Sequence, residues 1–256
     1  MVADPSFYSS KRLAESYARF RPAVHHVICD RLLEPLTPEA RSWRVLDVGC
    51  GAGASTAALL PYSAHLFGVD PYPPMLEQAR TSVTGASFVQ GGFEALPFEA
   101  DSFDLLASAG AINYVDAVTA LTEVERVLQP GGWFMAYDFS TGQRLTIESP
   151  LPDLHAEFRR KYPSSPGYAL HLPSLPFASA GLSLVSEHDF VVQTPMSAEQ
   201  YVQYALGDSG VELALAGGES EEQIRRYCKE LFSPAFIGQT RNVVFEVQAV
   251  LARKHF

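Results

Sequence analysis

Residues 43–60 read WRVLDVGCGAGASTAALL. An apolar run through Val45, Leu46 and Val48 leads straight into glycines at 49, 51 and 53, and helix-forming residues follow. Glycine reaches backbone conformations and close approaches that a Cβ forbids. A strand ending in GxGxG therefore predicts a loop whose main-chain N–H groups turn toward a ligand lying against bare backbone. Gly49, Gly51 and Ala54 also satisfy the looser pattern GxGxxA. On the motif alone, a dinucleotide site and a purely structural turn both stay open.

Outward from this loop, residues 44–139 alternate short β-rich runs with helical stretches, the pattern of βαβ units and a parallel sheet covered on both faces. The strands are read at RVLDVGC, AHLFGVD, SFVQG, FDLLASA and GWFMAYDF. One helix is predicted after an Asp116 N-cap, with Val118, Leu121, Val124 and Leu128 along its apolar stripe and QPGG stopping it. The expected fold is α/β: a Rossmann-like, mostly parallel sheet with helices on both faces, an antiparallel last strand and helical lid insertions.

The chain reads as a single domain of 256 residues. Residues 1–40 supply N-terminal helices, with Leu13, Tyr17 and Arg21 on one helical face and Pro22 suited to the first turn of a second helix. Residues 41–139 form the cofactor-binding core. Residues 140–178 are proline-rich and interleaved with Phe158, Tyr162 and Tyr168, which predicts a short helix inside a long excursion. Segments 182–195 and 241–253 read as the last strands, the second with apolar residues at every other position from Val243 to Leu251. Between them, 196–240 carries two capping-box signals, Ser197 with Gln200 and Ser220 with Gln223. Segments 140–178 and 196–240 are expected to cover the acceptor.

Composition narrows the partners. With 47% apolar residues and a formal net charge of −10, the chain can build a core but offers no broad basic footprint for nucleic acid or anionic lipid. The N-terminal stretch lacks a leader pattern, and no window approaches the ~18 apolar residues that would span a bilayer. A cytoplasmic protein is expected, with Cys29, Cys50 and Cys228 reduced and no metal site, since no CxxC spacing occurs.

The decisive second residue is Asp70, ending the next strand in HLFGVDPYPPML. About 20 residues after the glycine loop, its carboxylate is placed to accept hydrogen bonds from both ribose hydroxyls of an adenosine. Pro71 and Met75 would then flank the adenine, with Met75 as ordinary helix core the equal alternative.

These segments resemble class I S-adenosylmethionine-dependent methyltransferases, in the group that includes quinone-biosynthesis and trans-aconitate methyltransferases. The resemblance runs from about Tyr17 to Gly132 and rests on VLDVGCGAG, GVDPYPPML, FEALPFEADSFDLL and EVERVLQPGGWF in that order. It implies S-adenosyl-L-methionine as cofactor, S-adenosyl-L-homocysteine as product and a seven-stranded sheet. It also implies that Asp47 supports the methionine end and that Tyr17 and Arg21 of YARFRP reach the cofactor carboxylate. A guanidinium suits that task through two parallel hydrogen bonds. Ser108, near the end of the fourth strand, joins the cofactor set. Two departures stand out: Gly92 replaces the acid that contacts the adenine amino group in much of the family, which leaves backbone near Phe93 and its ring for the base, and Asn113 and Tyr114 replace a histidine pair.

Methyl transfer from a sulfonium is an in-line displacement that chiefly requires positioning of the nucleophile. Little acid–base machinery is compulsory, and the catalytic candidates are Asp138, His171 and Tyr114, with His155 also in the proline-rich excursion. The expected function is methylation of a small-molecule acceptor, with no nucleic-acid or membrane partner. The alternatives are a non-catalytic adenosine-ligand binding protein and an NAD-dependent oxidoreductase. A homodimer interface is the alternative to a lid for the apolar helices.

Overall fold

The computed structural model describes residues 5–36, 42–163 and 171–256. Its centre is an open sheet. Strands β1 (Arg44–Val48), β2 (His65–Asp70), β3 (Ala86–Gln90), β4 (Phe103–Ala109) and β5 (Leu128–Phe139) pair in parallel in the order β3-β2-β1-β4-β5. Strand β8 (Arg241–Lys254) runs antiparallel between β5 and β7 (Leu182–Met196), and the two-residue β6 (Arg144–Leu145) pairs β8 just past the β5 ladder. The mostly parallel, seven-stranded sheet with antiparallel last strands is thus present, plus that short eighth strand.

Residues of the central strands alternate between two cores. Val45, Leu105, Ala107 and Met135 join the core on one face, and Leu46, Val48, Leu106 and Phe134 join that on the other. Burial on both faces explains why these strands read as continuous apolar runs. Helices α3 (Ala54–Leu59), α4 (Pro73–Ser82) and α5 (Ala117–Val127) connect them. Asp116 caps α5 by accepting from the Thr119 N–H at 2.9 Å. The buried stripe of α5 is Ala120, Leu121, Val124 and Val127, whereas Val118 is 55% exposed and Leu128 already belongs to β5. The expected stripe was rotated because its first and last members lie at the helix ends.

In front of the sheet, α1 (Lys11–Phe20) and α2 (Val24–Leu33) follow a 3-10 turn at Ser6–Ser9. Pro22 sits in the junction, its carbonyl accepting from the Val24 N–H at 2.8 Å, rather than in the first turn of α2. Helices α6 (Leu151–Lys161), α7 (Ala198–Ala205), α8 (Ser209–Ala216) and α9 (Glu221–Phe236) form a cap. Ser197 and Gln200 make the full capping box on α7, whereas the Ser220 side chain makes no cap hydrogen bond on α9. Tyr168 lies outside the described residues.

Aromatic contacts join the cap helices: Phe158 and Phe232 have ring centroids 5.5 Å apart, and Tyr201 and Phe232 5.0 Å. Ion pairs converge on the α8 region. Arg159 grips Asp208 through two hydrogen bonds of 2.7 and 2.6 Å, Arg12 of α1 pairs with Glu212, and Lys161 lies 3.6 Å from Glu219. Asp208 also caps α8 by accepting from the Gly210 N–H at 2.9 Å.

Candidate active site

Strand order reverses direction between β1 and β4, and such a switch point opens a crevice at the carboxyl ends of the strands. A cavity of about 610 Å³ occupies it, bounded by the loop after β1, the end of β2, the N-terminal segment and the cap. That size is ordinary for a small-molecule site.

The three glycines of the loop, at φ +73°, +52° and +94°, serve three different needs. A Cβ on Gly49 would lie 2.1 Å from the Cβ of Ala111, so two strand-end loops touch there. A Cβ on Gly51 would meet nothing within 4 Å, so this residue presents bare main chain to the cavity. Gly53 caps α3 and stays out of the cavity lining; a Cβ there would come 2.8 Å from Val83 Cγ2, so its absence lets α3 close on the end of α4.

The expectation that the loop turns its N–H groups to a ligand needs correction. Gly49 and Cys50 both donate to the Val69 carbonyl, at 2.8 and 3.1 Å, and Gly53 donates to the Cys50 carbonyl at 2.9 Å. The Gly51 N–H donates to Asp70 Oδ2, also at 2.9 Å. These four donors hold the loop in shape, and the loop offers contour more than hydrogen bonds.

Two carboxylates stand under and beside it. Asp47 is fully buried, and its Oδ2 accepts from the Ser55 and Thr56 hydroxyls at 2.7 and 2.6 Å. Its Oδ1 has no hydrogen-bond partner among the described residues, and burial raises its pKa to about 6 against the opposing pull of those hydroxyls. Asp47 does not line the cavity, so it braces the first turn of α3 from beneath. Asp70 does line it, 6% exposed, with Oδ1 accepting from the Tyr72 N–H at 2.9 Å as Oδ2 accepts from Gly51. Burial raises this carboxyl to about 6 as well. Each Asp70 oxygen uses one of its lone-pair directions on the backbone and keeps another for a hydroxyl ligand.

Tyr17, Arg21, Pro71, Met75, Gly92 and Phe93 all line the same cavity, whereas Ser108 does not: its hydroxyl is buried in β4 without a hydrogen-bond partner among the described residues. Met75 combines both readings, lining the cavity and packing with Leu13, Ala14 and Ala52. The Arg21 guanidinium lies 3.9 Å from the Tyr17 ring centroid and 5.7 Å from that of Tyr204, positions that allow cation–π attraction.

Of the catalytic candidates, Asp138 and Tyr114 reach the cavity. Asn113 Nδ2 donates to Asp138 Oδ2 at 3.1 Å, and the Phe139 N–H donates to Oδ1 at 2.8 Å, which fixes the carboxylate. Burial lifts the Tyr114 hydroxyl to about 12, so at neutral pH it is a proton-bearing donor and no base. His171 is exposed and absent from the lining, and its neighbour Leu172 packs in the core on the opposite sheet face. The proline-rich segment instead delivers His155, 5% exposed and lining the cavity, its pKa lowered to about 4 by burial and by Arg159.

Tyr8, His25 and Tyr204 are among the residues of the site that sequence reasoning missed. Tyr8 sits with its hydroxyl 3.4 Å from that of Tyr17 and 3.2 Å from that of Tyr114, and SFYS carries no pattern that announces it. His25, 9% exposed, bonds the Tyr137 hydroxyl through Nδ1 at 2.8 Å and is lowered to about 3, chiefly by burial. A polar residue beside the buried Val24–Ile28–Leu32 stripe was the available signal for it. Tyr204 of α7 closes the wall near Arg21.

Comparison with known proteins agrees with this geometry. Residues 46–136 match the family model described as a methyltransferase domain. The chain is similar to malonyl-[acyl-carrier protein] O-methyltransferase of Dechloromonas aromatica, 28% identical over 253 residues and 93% of each chain. It is 38% identical to demethylmenaquinone methyltransferase of Clavibacter sepedonicus over 119 residues, a match that spans 45% of this chain and 47% of that one. The crystal structure of the YcgJ protein from Bacillus subtilis superposes with a TM-score of 0.53 at 25% identity, covering 88% of this chain and 97% of that one. Its fold, its strand-end loop and these relatives all liken the chain to S-adenosylmethionine-dependent methyltransferases, with the family match confined to the sheet core.

Proposed function

We propose that the protein methylates a small, partly apolar molecule held between the glycine loop and the helical cap. The observation that carries this is the continuity of one cavity from Gly51 and Asp70 to an aromatic chamber of Phe139, Phe158, Tyr201 and Tyr204. The residues fit the methyl donor: bare main chain at Gly51, an acceptor-rich carboxylate at Asp70 and a cation at Arg21 border one space. When bound, the donor supplies a methyl group already activated by its sulfonium.

The chain's own residues supply position and proton management. Asp70 is suited to ribose hydroxyls, and Arg21 with Tyr17 to an amino-acid carboxylate. Tyr8 and Tyr114 keep their hydroxyl protons and can orient an acceptor by donation. Asp138, fixed by Asn113, and neutral His155 are the groups able to take a proton from an acceptor hydroxyl. The aromatic walls exclude water from that step. The Arg159–Asp208 pair compensates its own charges, so the chamber favours an uncharged acceptor.

A cytoplasmic setting goes with this reading, supported by three buried free thiols. No helix of the described residues is long and apolar enough to cross a membrane. Among the relatives, the name demethylmenaquinone methyltransferase supports a small-molecule acceptor. The test is transfer of labelled methyl from S-adenosylmethionine into fractionated extract, with titration of S-adenosylhomocysteine and NADH beside it. Label in the low-mass fraction and binding of the first ligand alone support the proposal. Label confined to nucleic acid or protein, or binding of NADH instead, overturns it.

A further inference from the structure

Helix α2 lends the cavity one polar group besides those suited to the donor, His25. It sits on the buried face of the helix with Ile28, Cys29 and Leu32. Its Nδ1 lies 2.8 Å from the Tyr137 hydroxyl near the end of β5, and the Cys29 thiol, one helical turn along, is a polar neighbour of the same hydroxyl. Phe139 packs edge-on against the ring at a centroid distance of 5.4 Å, so the imidazole is held on two sides. Only Nε2 remains. Among the described residues it has no hydrogen-bond partner, yet it is not one of the sealed, unpaired polar atoms of the interior, so it opens into the cavity that His25 lines.

A count of protons fixes what Nε2 offers. Burial raises the Tyr137 hydroxyl and the Cys29 thiol and lowers His25 to about 3, so near neutral pH phenol and thiol keep their protons and the imidazole is neutral. The phenol has one proton to donate, and an imidazole nitrogen is a far better acceptor for it than a thiol sulfur. Tyr137 therefore donates to Nδ1, and the ring's own proton sits on Nε2. The cavity meets an uncharged N–H donor.

The place of His25 in the fold decides which ligand meets that donor. Strands β1 and β4 separate β2, which Asp70 ends, from β5, which carries Tyr137. Adjacent strands are about 4.8 Å apart, so about 14 Å lies between the two ends. A sugar resting on Asp70 is out of reach. The aromatic chamber is not, because Phe139 belongs both to its wall and to the contacts of His25.

We infer that His25 is a specificity-determining residue for the methyl acceptor, donating from Nε2–H to a carbonyl oxygen of an uncharged substrate. This rests on the methyl-transfer reading above. A neutral donor satisfies a carbonyl without adding the positive charge that would draw carboxylates, and an acceptor that lacks the carbonyl leaves the N–H unpaired. Tyr137 is the positioning residue, acting through the tautomer it imposes.

The experiment is nitrogen-15 NMR of wild type, Tyr137→Phe, His25→Gln and His25→Asn, saturated with S-adenosylhomocysteine and titrated with 4-hydroxyacetophenone or 4-ethylphenol, two phenols that differ by one carbonyl. Before either probe is added, wild-type His25 should carry its proton on Nε2, and Tyr137→Phe should mix the two tautomers. Wild type should bind the ketone about fivefold more tightly, the scale of one neutral hydrogen bond, with the Nε2–H resonance moving downfield. His25→Gln, whose amide N–H₂ reaches the place of Nε2, should keep that preference, and His25→Asn, whose amide reaches only the place of Nδ1, should lose it. Circular dichroism serves as the folding control. A wild-type proton on Nδ1, probes that bind equally or not at all, or Gln and Asn variants that behave alike overturn the inference. So does a tenfold loss of S-adenosylhomocysteine affinity in both His25 variants, which places the ring on the donor instead. A wild type that does not bind S-adenosylhomocysteine is the failure of the donor reading itself, and it shows before any probe is added.

Discussion

Replacing Asp70 by Asn tests the binding chemistry through its pH dependence. In the ligand-free protein this carboxyl is raised to about 6, chiefly by burial and against the pull of the Tyr72 and Gly51 N–H groups. If only the ionised form accepts the ribose hydroxyls, the apparent Kd scales inversely with the ionised fraction. Near pH 5 about nine-tenths of the protein carries the proton. Affinity for S-adenosylhomocysteine should then be about tenfold weaker than near pH 7.5, or about 1.4 kcal/mol. His25 and His155, lowered to about 3 and 4, remain mostly neutral across this window and add little to the slope. Asn presents one acceptor oxygen where two now serve Gly51 and Tyr72 at 2.9 Å each, and it turns an N–H₂ toward one of those donors. The variant should lose about 1–3 kcal/mol of affinity at neutral pH, and most of the pH slope with it. Titration calorimetry at the two pH values, with circular dichroism confirming the fold, reads both quantities. A wild-type Kd that is flat with pH, or an Asn variant that keeps the wild-type slope, refutes the assignment.

Other expectations concern the loop and its support. Gly49→Ala should destabilise the fold by more than about 1 kcal/mol in urea melts, because a Cβ there meets Ala111 at 2.1 Å in a left-handed backbone. Gly51→Ala, with nothing within 4 Å, should cost only about 1 kcal/mol of stability while lowering ligand affinity; equal melts for the two variants would contradict this division. For Asp47, the folded pKa of about 6 lies above its ordinary 3.8, so its contribution to stability is fully present below pH 3.8 and is lost as pH rises through 6. The stability change on Asp47→Asn should therefore be more favourable near pH 7.5 than near pH 5 by about 1.4 kcal/mol, and identical values at the two pH settings would place the titration elsewhere.

What could be read in the chain follows from where each signal is stored. The strands of the core were legible because burial on two faces forces apolar runs, and the loop because left-handed backbone demands glycine. Asp70 was legible through its spacing from that loop, but the use of its oxygens on Gly51 and Tyr72 was not, since that depends on how two strand ends meet. The cap hid its arrangement. Phe158 and Tyr201 each meet Phe232, across 74 and 31 positions of sequence, and no local periodicity encodes such a meeting. For the same reason His171 and His155 looked equivalent in a proline-rich stretch, although one faces solvent and the other the cavity.

The front wall of the cavity is contributed by the beginning of the described chain: Tyr8 meets Tyr114 across 106 positions of sequence, and Arg12 reaches Glu212 across 200. Contacts of such separation reward the chain only after the intervening loops have closed. The sheet can therefore assemble before there is any chamber for it to serve, and ligand affinity becomes a late reporter of folding. A nascent or partly denatured molecule showing full β-sheet signal would still be blind to its substrate until residues 8–21 had come home.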